Sequence, residues 1–313
     1  MRIFRPPTQR LSLSAILRGV GALPERISGW RGRRRASPAW TVVTALILAM
    51  VALPVVTIAL IGLKGGDGTW AHLLSTVLPG SLRDTALLLL GVGVLTLVVG
   101  TGTAWLVTMY RFPGRGLLDR LLVIPLAMPT YLIAYCYVDL LDFDGALQTA
   151  LRWITGFRSP RDYWFPEARS MTGAILVLSS VLYPYVYLTA RASFVQQSVC
   201  ALEVARTLGR TPLGAFWSVA LPLARPALAG GVALALMECL NDIGAVQHLG
   251  IPTLAPTVQA TWQQRGSLAG AAQIAIVMLV LVALLFALES AARRGGSIHQ
   301  TTGRYRSLPF ADL

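Results

Sequence analysis

Six stretches of this sequence are long and apolar enough to cross a lipid bilayer as helices. A helix needs about 20 mainly apolar residues for the crossing, because the hydrocarbon core offers no partner for an exposed backbone N–H or C=O group. The sequence therefore predicts an all-α integral membrane protein with one six-helix transmembrane domain at residues 40–294. The predicted spans are residues 41–63, 85–110, 118–141, 170–190, 226–247 and 268–290.

The charged residues are few, and most of them are arginine. Of the 313 residues, 55% are hydrophobic and 13% are charged, whereas soluble proteins average about 25% charged residues. If the N-terminus is cytoplasmic, the cytoplasmic segments hold 20 Lys and Arg residues and the outer segments hold 7. This bias follows the positive-inside rule. We therefore expect residues 1–39 and 295–313 to be cytoplasmic, and we interpret the net charge of +13 as membrane orientation rather than nucleic-acid binding.

The residues that membrane enzymes need are scattered. The cysteines, Cys136, Cys200 and Cys239, are far apart and lack the paired spacing of a metal site. All three histidines fall at loop or terminal positions, which argues against a buried catalytic base. The sequence predicts no catalytic residue, no metal site and no cofactor.

Small residues recur in the second and fifth predicted spans. Gly100 and Gly102 lie in the second span, and Gly231 and Ala235 are spaced four residues apart in the fifth. Such positions let two helix backbones approach closely, although glycine and alanine are also simply common in membrane helices. The pattern favours a packed bundle over independent anchors.

The segment between the fourth and fifth predicted spans, residues 191–225, is long for a simple connection. It predicts two short helices around a turn at Gly209, because glycine suits the left-handed conformation that ends a helix. Bulky apolar side chains follow at Phe216 and Trp217. Large apolar side chains on a cytoplasmic loop usually mark a contact with another molecule, so we expect a partner to cover these two.

The spacing in this loop is similar to the EAA loop of ATP-binding cassette (ABC) importer permeases. The matching positions are Glu203, Ala205, Gly209, Val219, Leu221 and Pro222, and Val204 replaces an alanine of the pattern. An ordinary amphipathic loop helix lying on the membrane surface is the alternative.

The resemblance covers about residues 81–294 and implies a set of partners. It implies a type I, MetI-like permease fold in a bacterial inner membrane, with the loop docked into a cleft of an ATPase subunit. It also implies a periplasmic substrate-binding protein and a second permease half, either the same or a different chain. Within this sequence the lone lysine, Lys64, does not stand in a phosphate-binding loop, so ATP hydrolysis is expected in a separate subunit.

Several further stretches resemble the N-terminal half of ferric-iron permeases, which implies ferric iron as the cargo. The C-terminal residues 303–309 are similar to the linker that leads into the second half of those proteins. Thiamine, polyamine and sulfate permeases share the loop and the topology, so these cargoes stay open. The stretches are residues 111–115, 125–129, 163–167, 235–238 and 242–244.

Two acidic residues, Glu238 and Asp242, interrupt the fifth predicted span. Their spacing of four residues predicts one shared helix face, and a charge within the membrane is a functional candidate because its burial in hydrocarbon is unfavourable. One hypothesis is that both face the transport pathway and meet the cargo. The other is that Asp242 lies near the outer interface while Glu238 is neutral or hydrogen-bonded to a neighbouring helix. A secondary transporter and a membrane-embedded enzyme remain the competing functional classes.

Overall fold

A computed structural model describes residues 38–64, 69–159, 161–197, 205, 207–294 and 311–312. The chain divides into two compact units, Met1–Pro54 and Val55–Leu313. The first unit is described from Pro38 onward, as the beginning of a long apolar helix whose side chains are mostly exposed. The second unit contains all the other described elements.

Apart from loops and turns, the described part of the chain consists of helices and one short strand pair. Tyr110–Arg111 (β1) pairs in parallel with Ala311–Asp312 (β2). The helices, in chain order, are α1 (Pro38–Lys64), α2 (Thr69–His72), α3 (Leu78–Met109), α4 (Arg115–Leu121), α5 (Thr130–Leu141), α6 (Ala146–Thr155), α7 (Met171–Gln196), α8 (Pro212–Ala215), α9 (Leu221–Asn241), α10 (Gly244–His248), α11 (Leu254–Gln263) and α12 (Leu268–Arg294).

Three turns of other helical geometry interrupt or join these helices. A π-helical turn at Leu73–Val77 joins α2 to α3, and another at Phe216–Ala220 joins α8 to α9. A 3₁₀ turn covers Ile124–Ala127. The π turns do not interrupt the helical path. Two helical segments are therefore continuous through them, Trp70–Met109 and the 30-residue Pro212–Asn241.

Five of the described helical segments are long and apolar enough to cross a membrane, and a sixth crossing requires a bent pair to count as one span. The bent pair is the third predicted span, which the sequence analysis placed as one helix at 118–141. The segments Arg115–Ala127 and Thr130–Thr155 meet at 100°, so the third span is one crossing only if this bent pair is taken together. Pro129 lies at the bend and has no N–H to continue the helical ladder.

The fifth predicted span also differs from the structure. Helix α9 ends at Asn241, and Asp242 follows in an extended conformation. The carboxylate of Asp242 accepts a hydrogen bond from the backbone N–H of Ala245 at 2.9 Å. The predicted helix through residue 247 therefore ends at Asn241, and this capping interaction starts a new helix, α10, at Gly244. A shared face for Glu238 and Asp242 stays a prediction.

Helix α7 lies at the centre of the second unit, and both α3 and α9 pack along it. Glycines permit the close approach. A Cβ atom placed on Gly100 would lie 2.9 Å from the backbone oxygen of Tyr183, and one on Gly231 would lie 2.9 Å from Cα of Val186. The apolar core around these crossings contains Leu178, Leu182, Val186, Tyr187, Ala190 and Phe194 of α7, all fully or almost fully buried.

Candidate functional site

The first candidate site is the part of the predicted loop that the structure describes, Ala205 and residues 207–222, which we call the coupling segment. Glu203 and Val204 lie outside the described residues. Ala205 is buried, and its carbonyl accepts a hydrogen bond from the N–H of Arg210 at 3.0 Å. Gly209 has a φ of +82°, as expected for a glycine that ends a helical turn.

The second half of the coupling segment begins at a well-formed helix cap. The hydroxyl of Thr211 accepts a hydrogen bond from the N–H of Gly214 at 3.1 Å, and Pro212 occupies the first helical position. Val219, Leu221 and Pro222 follow in the π turn and at the start of α9. The apolar side chains that this segment leaves exposed are Leu208, Leu213 and Trp217.

An amide from the end of α7 holds the π turn in place. The Nε2 of Gln197 donates a hydrogen bond to the carbonyl of Ala220 at 2.9 Å, and both residues are buried. Turns of π geometry are frequent at functional sites because they free carbonyl groups from the regular helical ladder. The amide therefore ties the coupling segment to the fourth membrane helix.

Aromatic rings connect the coupling segment to the spans beneath it. Trp105 of α3 packs edge-on against Phe194 of α7, with ring centroids 5.5 Å apart. The same indole lies 4.9 Å from the ring of Phe216 in the π turn. Aromatic pairs at these distances and angles add to the free energy of apolar burial. Any movement of the coupling segment would therefore act on the side chains of α3 and α7 that it contacts.

A polar cluster joins α4 to α7 at the same end of the bundle. The phenol of Tyr187 donates a hydrogen bond to one oxygen of the Asp119 carboxylate. The guanidinium of Arg191 pairs with the other oxygen at 2.7 Å. The sequence analysis did not single out Asp119 or Arg191 as a pair, because they are 72 residues apart and no local pattern links them.

The second candidate site is a cavity of about 410 Å³ beside the bend of the third span. Glu238 of α9 and Tyr185 of α7 line it, together with Met128, Pro129 and Thr130 at the bend. Glu238 is exposed, whereas the Asp242 carboxylate is engaged in the cap of α10. Of the two predicted pathway residues, only Glu238 is placed in the wall of this cavity.

The loop that follows the third span is held by a network of polar side chains. The phenol of Tyr163 donates a hydrogen bond to the buried Gln148 at 2.6 Å, and the guanidinium of Arg152 donates one to the carbonyl of Phe143 at 2.6 Å. Two tryptophans of this loop, Trp153 and Trp164, are 87% and 86% exposed. The network fixes the backbone while the two indoles stay on the surface.

Metal-binding side chains do not cluster in the described part of the chain: no group of three or more His, Cys, Asp or Glu residues is positioned there to hold an ion. Glu238 is the acidic residue that lines the cavity at the bend. A single carboxylate can meet a passing ion but does not form a closed coordination site.

Residues 96–294 match the protein family described as "Binding-protein-dependent transport system inner membrane component". The chain belongs to this family. The family membership confirms the expectation of a multi-pass permease of an inner membrane and of a transport component rather than an enzyme. It does not distinguish one cargo from another.

Three relatives of known name resemble this chain over 48% to 82% of its length. The sulfate transport system permease protein CysT of Escherichia coli K12 is 33% identical over 48% of the chain, and the match spans 50% of that relative. The putative 2-aminoethylphosphonate transport system permease protein PhnU of Salmonella choleraesuis is 29% identical over 82% of the chain and 93% of the relative. The molybdenum transport system permease protein ModB of Escherichia coli K12 is 30% identical over 59% of the chain and 80% of the relative.

Solved structures share the fold of this permease at low sequence identity. A chain of a bacterial ABC transporter that imports alginate superposes with a TM-score of 0.66 at 14% identity, covering 87% of this chain and all of that one. A chain of the MetNI methionine ABC transporter superposes with a TM-score of 0.54 at 15% identity, covering 72% of this chain and 97% of that one. The predicted type I, MetI-like fold is confirmed.

Proposed function

We propose that this permease is the membrane-spanning subunit of an ABC importer, with the coupling segment as its contact with the ATPase. The observation that carries the proposal is the exposed face formed by Leu208, Leu213 and Trp217 on a segment that is otherwise anchored in the bundle. An apolar face on a short helix fits a groove of a partner protein. Glu203, Ala205, Gly209, Val219, Leu221 and Pro222 match the spacing of the family's docking loop.

The contacts of the coupling segment with α3, α7 and α9 explain how its displacement would be transmitted to the membrane helices. The segment continues into α9 through the π turn, and it contacts α3 and α7 through Trp105, Phe194 and Gln197. Packed cores transmit displacement because they have few voids to absorb it. Nucleotide-driven motion of the ATPase would therefore move the helices that line the cavity at Glu238.

Disulfide cross-linking in the assembled transporter tests the contact with the ATPase. In a chain with Cys136, Cys200 and Cys239 replaced by serine, Leu213→Cys is paired with single cysteines in the cleft of the ATPase subunit. Trp153→Cys is the matched control, since it is exposed but lies on the outer loop. We expect a cross-link to the ATPase from residue 213 alone. A cross-link from residue 153, or none from residue 213 in an active complex, would refute the proposal.

The cargo that the relatives favour is a small oxyanion or a phosphonate. PhnU, which matches along 82% of this chain, is named for 2-aminoethylphosphonate, and CysT is named for sulfate. The second candidate is ferric iron, favoured by the resemblance of residues 111–115 and 125–129 to ferric-iron permeases and by the carboxylate of Glu238 in the cavity wall. A carboxylate attracts a cation and repels an anion, so the two candidates make opposite demands on this residue.

Uptake measurements in cells that carry the complete transporter separate these cargoes. Labelled sulfate, 2-aminoethylphosphonate and ferric iron are each supplied to cells with the parent permease and to cells with a hydrolysis-deficient ATPase subunit. The true cargo accumulates only in the first. Accumulation of ferric iron alone would exclude the oxyanion assignment, and uptake that persists without ATP hydrolysis would indicate a secondary transporter.

The outer loop with Trp153 and Trp164 is the proposed docking surface for a periplasmic substrate-binding protein. Its backbone is fixed by the bonds of Gln148 and Arg152, so the two exposed indoles are presented in a defined arrangement. Exposed tryptophans of this kind are typical of the centres of protein interfaces. Trp164→Ala would weaken capture of the binding protein, measured by co-purification, while ATPase assembly stays intact.

The orientation proposed here places residues 1–39 and 295–313 in the cytoplasm, with a second permease half completing the pathway. A pathway between two related halves is not lined by one half alone. Fusions of a fluorescent protein that folds only in the cytoplasm test both termini. Fluorescence from both fusions supports the orientation, and a dark fusion at either end contradicts it.

A further inference from the structure

An apolar groove of about 730 Å³ lies between α3, α9 and α12, next to the coupling segment. Its wall includes Leu97, Val98 and Leu288 from the spans and Trp217 from the π turn, all of them exposed in this chain. The volume is in the range of grooves that hold a drug-sized or larger apolar ligand. Because the walls are membrane-spanning helices, a lipid chain has direct access to it.

The positive charge at this groove is not balanced by the residues around it. Arg225 lines the groove, and among the described residues its guanidinium has no hydrogen-bond or ion-pair partner. The acid of the groove, Glu289, is already paired with Arg293 one turn further along α12. The groove therefore has one unmatched cation beside an apolar wall, which is the charge pattern of an anionic amphiphile's binding site.

We propose that the groove binds an anionic phospholipid of the cytoplasmic leaflet, with the phosphate on Arg225 and an acyl chain between α3, α9 and α12. Trp217 belongs both to the groove and to the exposed face of the coupling segment. The bound lipid thus packs against the element proposed to contact the ATPase.

Lipid retention by the purified complex tests the proposal. The complete transporter is taken from nanodiscs that contain equal amounts of palmitoyl-oleoyl phosphatidylglycerol and phosphatidylcholine, moved into mild detergent, and analysed by native mass spectrometry. We expect phosphatidylglycerol to remain bound in preference to phosphatidylcholine. Arg225→Gln lowers its retention about fivefold, the effect of one basic residue on an anionic headgroup.

The control is Arg120→Gln, which removes an exposed arginine of α4 outside the groove and leaves retention unchanged. Ala229→Phe fills the groove without changing the charge and lowers retention as well, so the test stands even if the Arg225 variant assembles poorly. Equal retention in the Arg225 and Arg120 variants overturns the proposal. So does equal retention of the two lipids, or a cross-link showing a transmembrane helix of another subunit in the groove of the intact complex.

Discussion

The phenol of Tyr187 donates a hydrogen bond to the carboxylate of Asp119, joining the centre of the bundle to a short helix 68 residues earlier in the chain. Tyr187 is fully buried, so its hydroxyl has no access to water as an alternative partner. The Arg191 guanidinium holds the other carboxylate oxygen. The Asp119 side chain of α4 thus bonds to side chains on two successive turns of α7.

Tyr187→Phe should lower the free energy of unfolding by about 1.5 to 3 kcal/mol, the typical loss for a hydrogen bond to a charged group. Tyr183→Phe is the matched control on the same helix, since its hydroxyl has no hydrogen bond among the described residues. Denaturant unfolding of the purified protein in detergent measures both. Equal stability of the two variants would mean that the bond contributes nothing to folding.

Gly100→Ala should destabilise the crossing of α3 and α7. The added methyl group would lie 2.8 Å from Cβ of Val186 and 2.9 Å from two backbone atoms of α7, so the helices must separate. Overpacking of this kind costs about 1 to 3 kcal/mol. Gly102→Ala is the control, because no atom lies within 4 Å of its added Cβ. Thermal unfolding should distinguish the variants, and an undiminished midpoint for Gly100→Ala would contradict the packing described here.

Glu238→Gln tests whether the carboxylate in the cavity at the bend takes part in transport. The change keeps the shape and removes the charge. If the cargo is ferric iron, the uptake rate should fall about tenfold or more, in proportion to the lost attraction in a partly dry cavity. If the cargo is an oxyanion, uptake should be unchanged or faster. Near-normal iron uptake by an assembled complex would remove Glu238 from any ligand role.

Gln197→Leu should disconnect the coupling segment from α7. Its amide donates to the carbonyl of Ala220 in the π turn, and leucine leaves that buried carbonyl without this donor. We expect transport to fall several-fold while the ATPase subunit still hydrolyses ATP. Gln196→Leu, which changes the exposed neighbour, should leave the ratio of transport to hydrolysis at the parent value. The measurement is that ratio in reconstituted liposomes, and parent-like coupling in both variants would contradict the role of Gln197.

His248 should make the stability of the protein depend on pH. Its ring stacks on Tyr135 with the centroids 3.6 Å apart. Burial, and then the nearby Arg169 guanidinium, lower the pKa of His248 below its ordinary value of 6.5. The unfolded chain therefore binds the proton more readily, so stability is retained above about pH 6.5 and falls as the pH drops from there toward the folded pKa.

The check on this prediction is the thermal midpoint between pH 7.5 and 5. His248→Phe keeps an aromatic ring against Tyr135 and has no proton to gain, so its midpoint should fall less over the same interval. Parallel pH curves for the parent and the variant would assign the acid sensitivity to other groups.

Sequence reasoning located the long apolar helices because bilayer thickness imposes a length that is visible in the residues themselves. It did not give the 100° bend of the third span. A proline predicts an interruption, but the angle at Pro129 depends on packing against α7 and α10. For the same reason Asp242 was assigned to a helix that the structure ends one residue earlier.

Some features of the candidate site could likewise be predicted from the sequence, and others could not. The coupling segment follows from fixed spacing, and Gly209 has the left-handed conformation that the spacing predicts. The Asp119 cluster and the amide of Gln197 join distant parts of the chain, and such pairs leave no local pattern. Glycine in a span is likewise ambiguous alone: Gly100 is pressed against α7, whereas Gly102 faces open space.

The continuity of Pro212–Asn241 gives this permease the mechanics of a lever. With a rise of 1.5 Å per residue, the end at Leu213 stands about 27 Å from Gly231, where this helical segment packs against α7, and Glu238 stands about 10 Å beyond Gly231. A tilt about Gly231 would therefore move Leu213 further than Glu238 and in the opposite direction, so a large displacement at the coupling segment would become a smaller one at the cavity wall.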